Sequence, residues 1–184
     1  MNRSARWVLT VIAVQAATLG AYWVVERQRV HQPSSARALG TEPPQRVEMS
    51  MPPLTLGRRD GSTATMSPLA RPTLVHVWAT WCPPCRAELP ALLALPNGRA
   101  VDVVAIALDK DWADVERFLD GQAGSHVFLG NGAQVERALG VRSLPVTFLL
   151  TPGESRVALR FDGARDWANE SFIEHWLGDV EEPR

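Results

Sequence analysis

A chain of 184 residues, 46% hydrophobic and 21% charged, has room for one domain with attachments and enough apolar residues for a real core. Its net charge of −1 supplies no field to gather nucleic acid or a strongly acidic partner, so no nucleic-acid role is expected. Two cysteines cannot make a disulfide framework or a four-cysteine zinc site, and His31, His76, His126 and His175 show no paired ligand spacing, so no metal site is expected either.

Arg3 and Arg6 precede a charge-free run over residues 7–25, with Trp7 at one end and Tyr22-Trp23 at the other. At 1.5 Å per residue this run reaches about 28 Å, close to the thickness of a hydrocarbon core. Residues 1–29 therefore read as an N-terminal membrane anchor with aromatic residues at both interfaces. A cleaved signal peptide, with small residues at Ala16-Ala17 or Gly20, is the alternative. The leading arginines favour a cytoplasmic N-terminus, which puts the rest of the chain on the extracytoplasmic side of the cytoplasmic (inner) membrane. Residues 30–46, rich in Pro, Ser, Ala and Arg, read as a flexible linker, and residues 47–184 as the folded domain.

Within that domain, residues 53–56 and 62–65 flank the turn signal Arg59-Asp60-Gly61 and predict a β-hairpin. Residues 74–79 predict a buried strand, followed by a helix that starts at Cys82 or Pro83 and is expected to kink at Pro90. Residues 101–108 predict the next strand. Asp111 then caps a helix with Trp112, Val115, Phe118 and Leu119 on its apolar face. A short strand over 125–129 and a short helix over 133–139, ended by Gly140, come next. Residues 145–150 and 156–161 form a second hairpin about Thr151-Pro152-Gly153-Glu154. A helix over 166–177 closes the domain, with Trp167, Phe172, Ile173 and Trp176 as its apolar members. This alternation describes an α/β sandwich, a central mixed sheet covered on both faces.

The only two cysteines lie in one unit, Trp81-Cys82-Pro83-Pro84-Cys85, delivered by a strand to the start of a helix. That is the arrangement of a dithiol/disulfide redox site. Exchange needs one attacking thiolate and a second sulfur to resolve the mixed disulfide. Cys82, as helix N-cap, faces unpaired N–H groups and the positive end of the dipole, which makes it the expected attacker. Cys85, on the same face but further inside, is the expected resolving thiol. Pro83 at the first helical position is neutral. Pro84 removes a second donor, leaves the Cys85 N–H as the nearest one, and is expected to make the pair more reducing.

Glu88, three residues beyond Cys85, lies on the same helical face. Partly buried, with a raised pKa, it would accept the Cys85 proton; solvated, it would be an ordinary surface glutamate. His76, on the strand six residues before Cys82, reads as a modulator of the thiols, by relaying protons or by carrying charge. A lone histidine on an apolar strand is more often a hydrogen-bonded core residue, and that reading stands beside the modulating one. Trp81 is expected to present an exposed aromatic to a partner, whereas Trp78 is expected in the core.

With these residues the chain resembles the thioredoxin superfamily. Within it, the likeness is to the TlpA/ResA/DsbE-type membrane-anchored thiol:disulfide oxidoreductases of bacteria, over residues 52–177. The resemblance is carried by Val77-Trp78-Ala79-Thr80-Trp81-Cys82-Pro83-Pro84-Cys85, by Arg86-Ala87-Glu88-Leu89-Pro90 and by Gly140-Val141-Arg142-Ser143-Leu144-Pro145-Val146-Thr147-Phe148. Gly163-Ala164-Arg165-Asp166-Trp167 adds to it. One departure is His76, where thioredoxins have a buried Asp and many relatives of this branch have Asn.

The resemblance implies an α/β thioredoxin-like fold, a central mixed β-sheet flanked by helices, with an added N-terminal β-hairpin. It implies that Pro145 is a cis-proline against the dithiol and that Leu144, like Trp81, Pro83 and Pro84, faces the substrate. It implies that Glu88 modulates the proton transfers of Cys82 and Cys85. The activity implied is that of an extracytoplasmic protein-disulfide oxidoreductase that reduces disulfides in exported proteins, with the heme-site cysteines of apocytochrome c (cytochrome c biogenesis) as one substrate class. Its electrons would come from a membrane thiol reductase, and its only redox group would be the Cys82–Cys85 disulfide, without a further cofactor. The alternatives are an oxidant or isomerase of protein disulfides, and a Cu(I)-binding or delivery protein using the same two sulfurs.

Overall fold

The computed structural model describes residues 42–66, 70–121, 124–153 and 156–181, all within the second of the chain's two structural units, Leu39–Arg184. The expected anchor, and the expected linker as far as residue 41, lie outside the described residues. Among the described residues no helix is long and apolar enough to cross a membrane.

Eight strands form one mixed sheet. In chain order they are β1 (Gln45–Ser50), β2 (Thr55–Gly57), β3 (Thr63–Thr65), β4 (Thr73–Trp78), β5 (Asp102–Ala107), β6 (Val127–Leu129), β7 (Val146–Leu150) and β8 (Arg156–Asp162). Across the sheet they run β1-β8-β7-β4-β5-β6-β2-β3. β4, β5 and β6 are parallel, and the remaining pairs are antiparallel. Four helices pack on it: α1 (Pro83–Ala94), α2 (Trp112–Leu119), α3 (Gly132–Leu139) and α4 (Glu170–Glu181).

The central strand β4 is buried at all six positions because both of its faces are covered. Leu74 and Trp78 point into a cluster that gathers Cys85, Leu89 and Leu92 of α1, Val115 of α2, and Ile173 and Leu177 of α4. Val75 and Val77, on the opposite face, point into a second cluster with Val135 and Leu139 of α3. By the period of two, His76 shares the face of Leu74 and Trp78 and is directed toward α1. The buried stripe of α1 is Cys85, Glu88, Leu89 and Leu92, an apolar helical face interrupted by one carboxyl group.

Several expectations are met in place. The first hairpin forms as β2 and β3, with Leu56 opposite Ala64, and lies beyond β6 at one edge of the sheet. Asp111 caps α2 by accepting from Ala113 N and Asp114 N. Gly140 ends α3 with φ 63°, a left-handed conformation that costs glycine little. Pro90 lies inside α1.

Two boundaries differ. β1 begins at Gln45, inside the stretch read as linker, because Gln45 and Arg46 pair with Arg160 and Leu159 of β8, which makes β1 the edge strand of the sheet. The connection from β1 to β2 then carries the chain to the other side of the sheet and buries Met51 and Leu54. The last helix begins at Glu170 rather than 166. Residues 166–169 form a turn instead, in which Asp166 Oδ1 accepts from Ala168 N and Asn169 Oδ1 accepts from Phe172 N at 3.1 Å. Short polar side chains of this kind compete with the helical backbone for its own donors.

Candidate active site

β4 ends at Trp78, and a short connection leads to α1. Its geometry is held by three hydrogen bonds: Leu108 N donates to Trp78 O at 2.9 Å, Cys82 N to Ala79 O at 3.2 Å, and Arg86 N to Cys82 O at 3.1 Å, the first bond of the helix. A fourth restraint comes from Asp109, just beyond β5. Its buried carboxylate accepts from Thr80 N at 3.1 Å and from Thr80 Oγ1 at 2.5 Å, clasping the residue two before Cys82. Sequence reasoning passed over Asp109 and Thr80. An Asp directly after a buried strand was a weak sign, and the contact between them spans 29 positions.

Cys82 is the N-cap of α1, with φ −98° and ψ 102°, and Cys85 N donates to its Sγ at 3.3 Å. Pro83 and Pro84 have no N–H to offer, so Cys85 supplies the one donor of the first turn that reaches the sulfur. The two sulfurs are joined in a disulfide with Cα atoms 5.3 Å apart. Cys82 keeps 5% of its surface exposed and Cys85 none, so the outer sulfur is the one an incoming reactant meets. Pro83 and Pro84 are exposed. Trp81 is 67% exposed, a large apolar side chain standing in water beside the disulfide. The Leu144–Pro145 peptide is cis. Pro145 is buried and accepts from Gly163 N at 2.9 Å, and Leu144 is half-buried against both apolar clusters.

Glu88 lies one turn below Cys85 and is 3% exposed, so it is not a solvated surface glutamate. Its Oε2 accepts from the backbone N–H of Arg165 at 2.6 Å and from the indole N–H of Trp167 at 3.0 Å. Burial pushes its pKa up to about 7, against the opposing pull of those two hydrogen bonds and of the Arg165 guanidinium. Arg165 is itself buried and donates to three backbone carbonyls, those of Gly163, Ala164 and Glu42. Arg165 and Trp167 belong to the late segment that contributed to the resemblance. Their bonds to Glu88 bridge 77 and 79 positions, which no local pattern reveals.

His76 is fully buried beneath the site. Its Nδ1 lies 2.9 Å from Thr147 Oγ1, its direct neighbour across β4 and β7, and its Nε2 lies 3.7 Å from Glu88 Oε1. Desolvation pushes its pKa down to about 3. The expectation that a charged His76 supports the thiolate is therefore corrected: at neutral pH the imidazole is neutral. It is hydrogen-bonded, as a core histidine would be, and it also faces the Glu88 carboxyl group.

The arrangement has the parts of a two-electron site: an outer sulfur at a helix N-terminus, a buried second sulfur, and a carboxyl group that holds a proton near neutrality. Cys82 and Cys85 are the groups able to hold a soft metal ion when reduced. Among the described residues no three His, Cys, Asp or Glu side chains gather as a metal site.

Comparison with known proteins agrees with this geometry. Residues 46–154 match the Redoxin family model. The chain is 29% identical over 104 residues to the thiol-disulfide oxidoreductase ResA of Halalkalibacterium halodurans, covering 54% of this chain and 59% of that protein. It is 35% identical over 107 residues to the thiol:disulfide interchange protein DsbE of Yersinia pestis, covering 54% and 55%. The chain thus spans only a little over half the length of these relatives. In three dimensions it superposes with a TM-score of 0.61 and 25% identity on a Chlorobium tepidum protein assigned as the thiol:disulfide interchange protein DsbE, covering 74% of this chain and 98% of that one. A family model that takes in more than half the chain, with this fold around a helix-capping cysteine pair, leads to one assignment: the chain belongs to the Redoxin family and is a ResA/DsbE-like member of the thioredoxin superfamily.

Proposed function

We propose that the chain is a protein-disulfide oxidoreductase, tethered to the cytoplasmic membrane by residues 7–25, whose Cys82–Cys85 pair reduces disulfides in exported proteins. The observation that carries this reading is the cysteine pair at the N-terminus of α1 above a buried carboxyl group with a pKa of about 7. The tether and the extracytoplasmic location rest on the charge-free run and the arginines before it.

In the reduced enzyme the Cys82 thiolate attacks one sulfur of a client disulfide. A Cys82–client bond forms, the client S–S bond breaks, and the released client thiolate takes a proton from water. Glu88, ionised, then accepts the Cys85 proton. The Cys85 thiolate attacks Cys82 Sγ, closing the intramolecular disulfide and expelling the second client thiolate. The client gains two electrons and the cysteine pair loses them. A membrane thiol reductase returns them by the reverse exchange. Trp81 beside the outer sulfur gives a client an apolar surface to rest on, and Leu144 before the cis-proline adds to it.

The test is the equilibrium reduction potential of the Cys82–Cys85 pair with copper excluded. A value near about −270 mV, or between that and the glutaredoxin range of about −200 to −230 mV, supports a reductase that needs a membrane electron source. A value near about −120 mV makes the protein an oxidant and reverses the direction of electron flow. A pair that does not cycle refutes the redox reading altogether.

A further inference from the structure

The surroundings of Glu88 and His76 decide where each of their protons sits. Glu88 Oε2 already receives two N–H donors, from Arg165 and Trp167. A proton bound to this carboxyl group is therefore placed on Oε1. Oε1 has no hydrogen-bond partner among the described residues, and neither has His76 Nε2, which faces it at 3.7 Å. That separation exceeds a hydrogen bond by about 0.5 Å, within reach of a small rotation of either side chain. On the other side of the ring, Nδ1 meets Thr147 Oγ1 at 2.9 Å, a hydroxyl that donates or accepts equally well.

We infer that His76 is a tautomer switch that reads the charge on Glu88: its ring proton sits on Nδ1 while Glu88 is protonated and on Nε2 while Glu88 is ionised. When Glu88 carries the proton, its Oε1–H points at Nε2, which must accept, so Nδ1 bears the hydrogen and donates to Thr147. When Glu88 is ionised, a bare Nε2 would set a lone pair against a carboxylate. The stable arrangement has Nε2–H donating to Oε1, with the Thr147 hydroxyl turned to donate to Nδ1. The ring holds one proton in both states, and burial opposes its taking a second.

Deprotonating Cys85 accordingly adds one proton to the pair as a whole. The carboxyl group gains the proton that the thiol lost, and the ring keeps its count while changing which nitrogen bears it. The other groups facing the pair are Cys85 on α1, which does not titrate while disulfide-bonded, and Arg165, whose guanidinium attracts the carboxylate. From β5 the neighbour of His76 is Ala105, which adds no charge. His76 thus acts as a positioning residue: it offers a buried carboxyl group a suitable partner in either protonation state. The link to thiol chemistry rests on Glu88 taking the Cys85 proton; the switch itself does not.

The experiment is 15N NMR of the full chain in detergent micelles, labelled at its four histidines, with the His76 signals assigned by their loss in His76→Gln. The ring nitrogens of the oxidised protein are followed from about pH 5 to about pH 9. The expected result is a shift from Nδ1–H to Nε2–H with a midpoint near the Glu88 value of about 7, the ring remaining neutral throughout. In Glu88→Gln the side-chain carbonyl takes the place of Oε2 and the NH2 donates to Nε2, so the ring is locked as Nδ1–H at every pH. A single tautomer across the range in the unsubstituted protein, or an imidazolium forming above about pH 5, overturns the inference. The titration itself is read on the unsubstituted protein and needs no turnover. A chain that switches tautomer but fails to cycle its disulfide refutes the proposed function and leaves the switch standing, and the converse result separates them equally.

Discussion

Replacing Glu88 by Gln in the oxidised protein isolates the energetic consequence of burying that carboxyl group. Glu88 is raised from its ordinary value of 4.5 to about 7 by desolvation. At about 1.4 kcal/mol per tenfold change in proton affinity, that rise corresponds to ~3 kcal/mol. Because the folded pKa lies above the unfolded one, this contribution is fully present below pH 4.5 and is lost as pH rises through about 7. His76 acts in the opposite sense. Its folded pKa is depressed from 6.5 to about 3, so its contribution is full above pH 6.5 and disappears as pH falls through about 3. That contribution is worth ~5 kcal/mol.

Between pH 4.5 and pH 6.5 the two slopes oppose one another, and the unsubstituted protein shows a plateau with a steep loss below it. Glu88→Gln deletes one slope, so the variant gains stability with pH up to 6.5 and holds it. The assay is urea denaturation of both disulfide-bonded proteins, followed by tryptophan fluorescence at matched pH. Contributions common to both proteins cancel in the difference. That difference should move in favour of the variant by ~3 kcal/mol between about pH 4.5 and about pH 8. A difference that stays constant within about 0.5 kcal/mol would show that Glu88 does not hold its proton to neutrality.

Pro84→Thr restores an N–H beside Cys82 Sγ. A hydrogen bond to a charged acceptor is worth about 1.5–3 kcal/mol, so the reduction potential should rise by about 30–60 mV; an unchanged or lower value in a redox titration counts against the proline argument. Asp109→Ala leaves the half-buried Thr80 N–H without its acceptor, and urea denaturation should show a loss of about 1–3 kcal/mol. The rate of disulfide exchange should fall with it, and an unaffected rate would mean that the clasp does not position Cys82. Trp81→Ala, at a side chain 67% exposed, should leave stability within about 0.5 kcal/mol. It should raise KM for a protein disulfide while sparing turnover of a small one, and equal effects on both would remove the docking role.

The α1 site was legible where its parts are consecutive. Strand, Trp81, the cysteine pair and the helix it caps stand one after another, so dihedral preference, missing proline donors and helical spacing convey the arrangement directly. The last helix was misplaced by the same kind of reading. Trp167 fits an apolar helical period, but its indole is committed to Glu88, and Asn169 rather than Asp166 caps α4 by accepting from Phe172 N. β1 escaped notice because it is an edge strand whose pairing with β8 is supplied from more than a hundred positions away.

By itself the sequence determined the cysteine pair at the start of α1 and the α/β frame around it, since these depend on which residue types stand next to one another. Only the tertiary structure decided the protons. Whether Glu88 is a surface acid or a buried one, and whether His76 is charged, depends on desolvation and on donors from Arg165, Trp167 and Thr147 that arrive from other elements of the fold. Proton affinity is set by what surrounds a group in space, and chain order does not contain that until the sheet and α1 have closed around it.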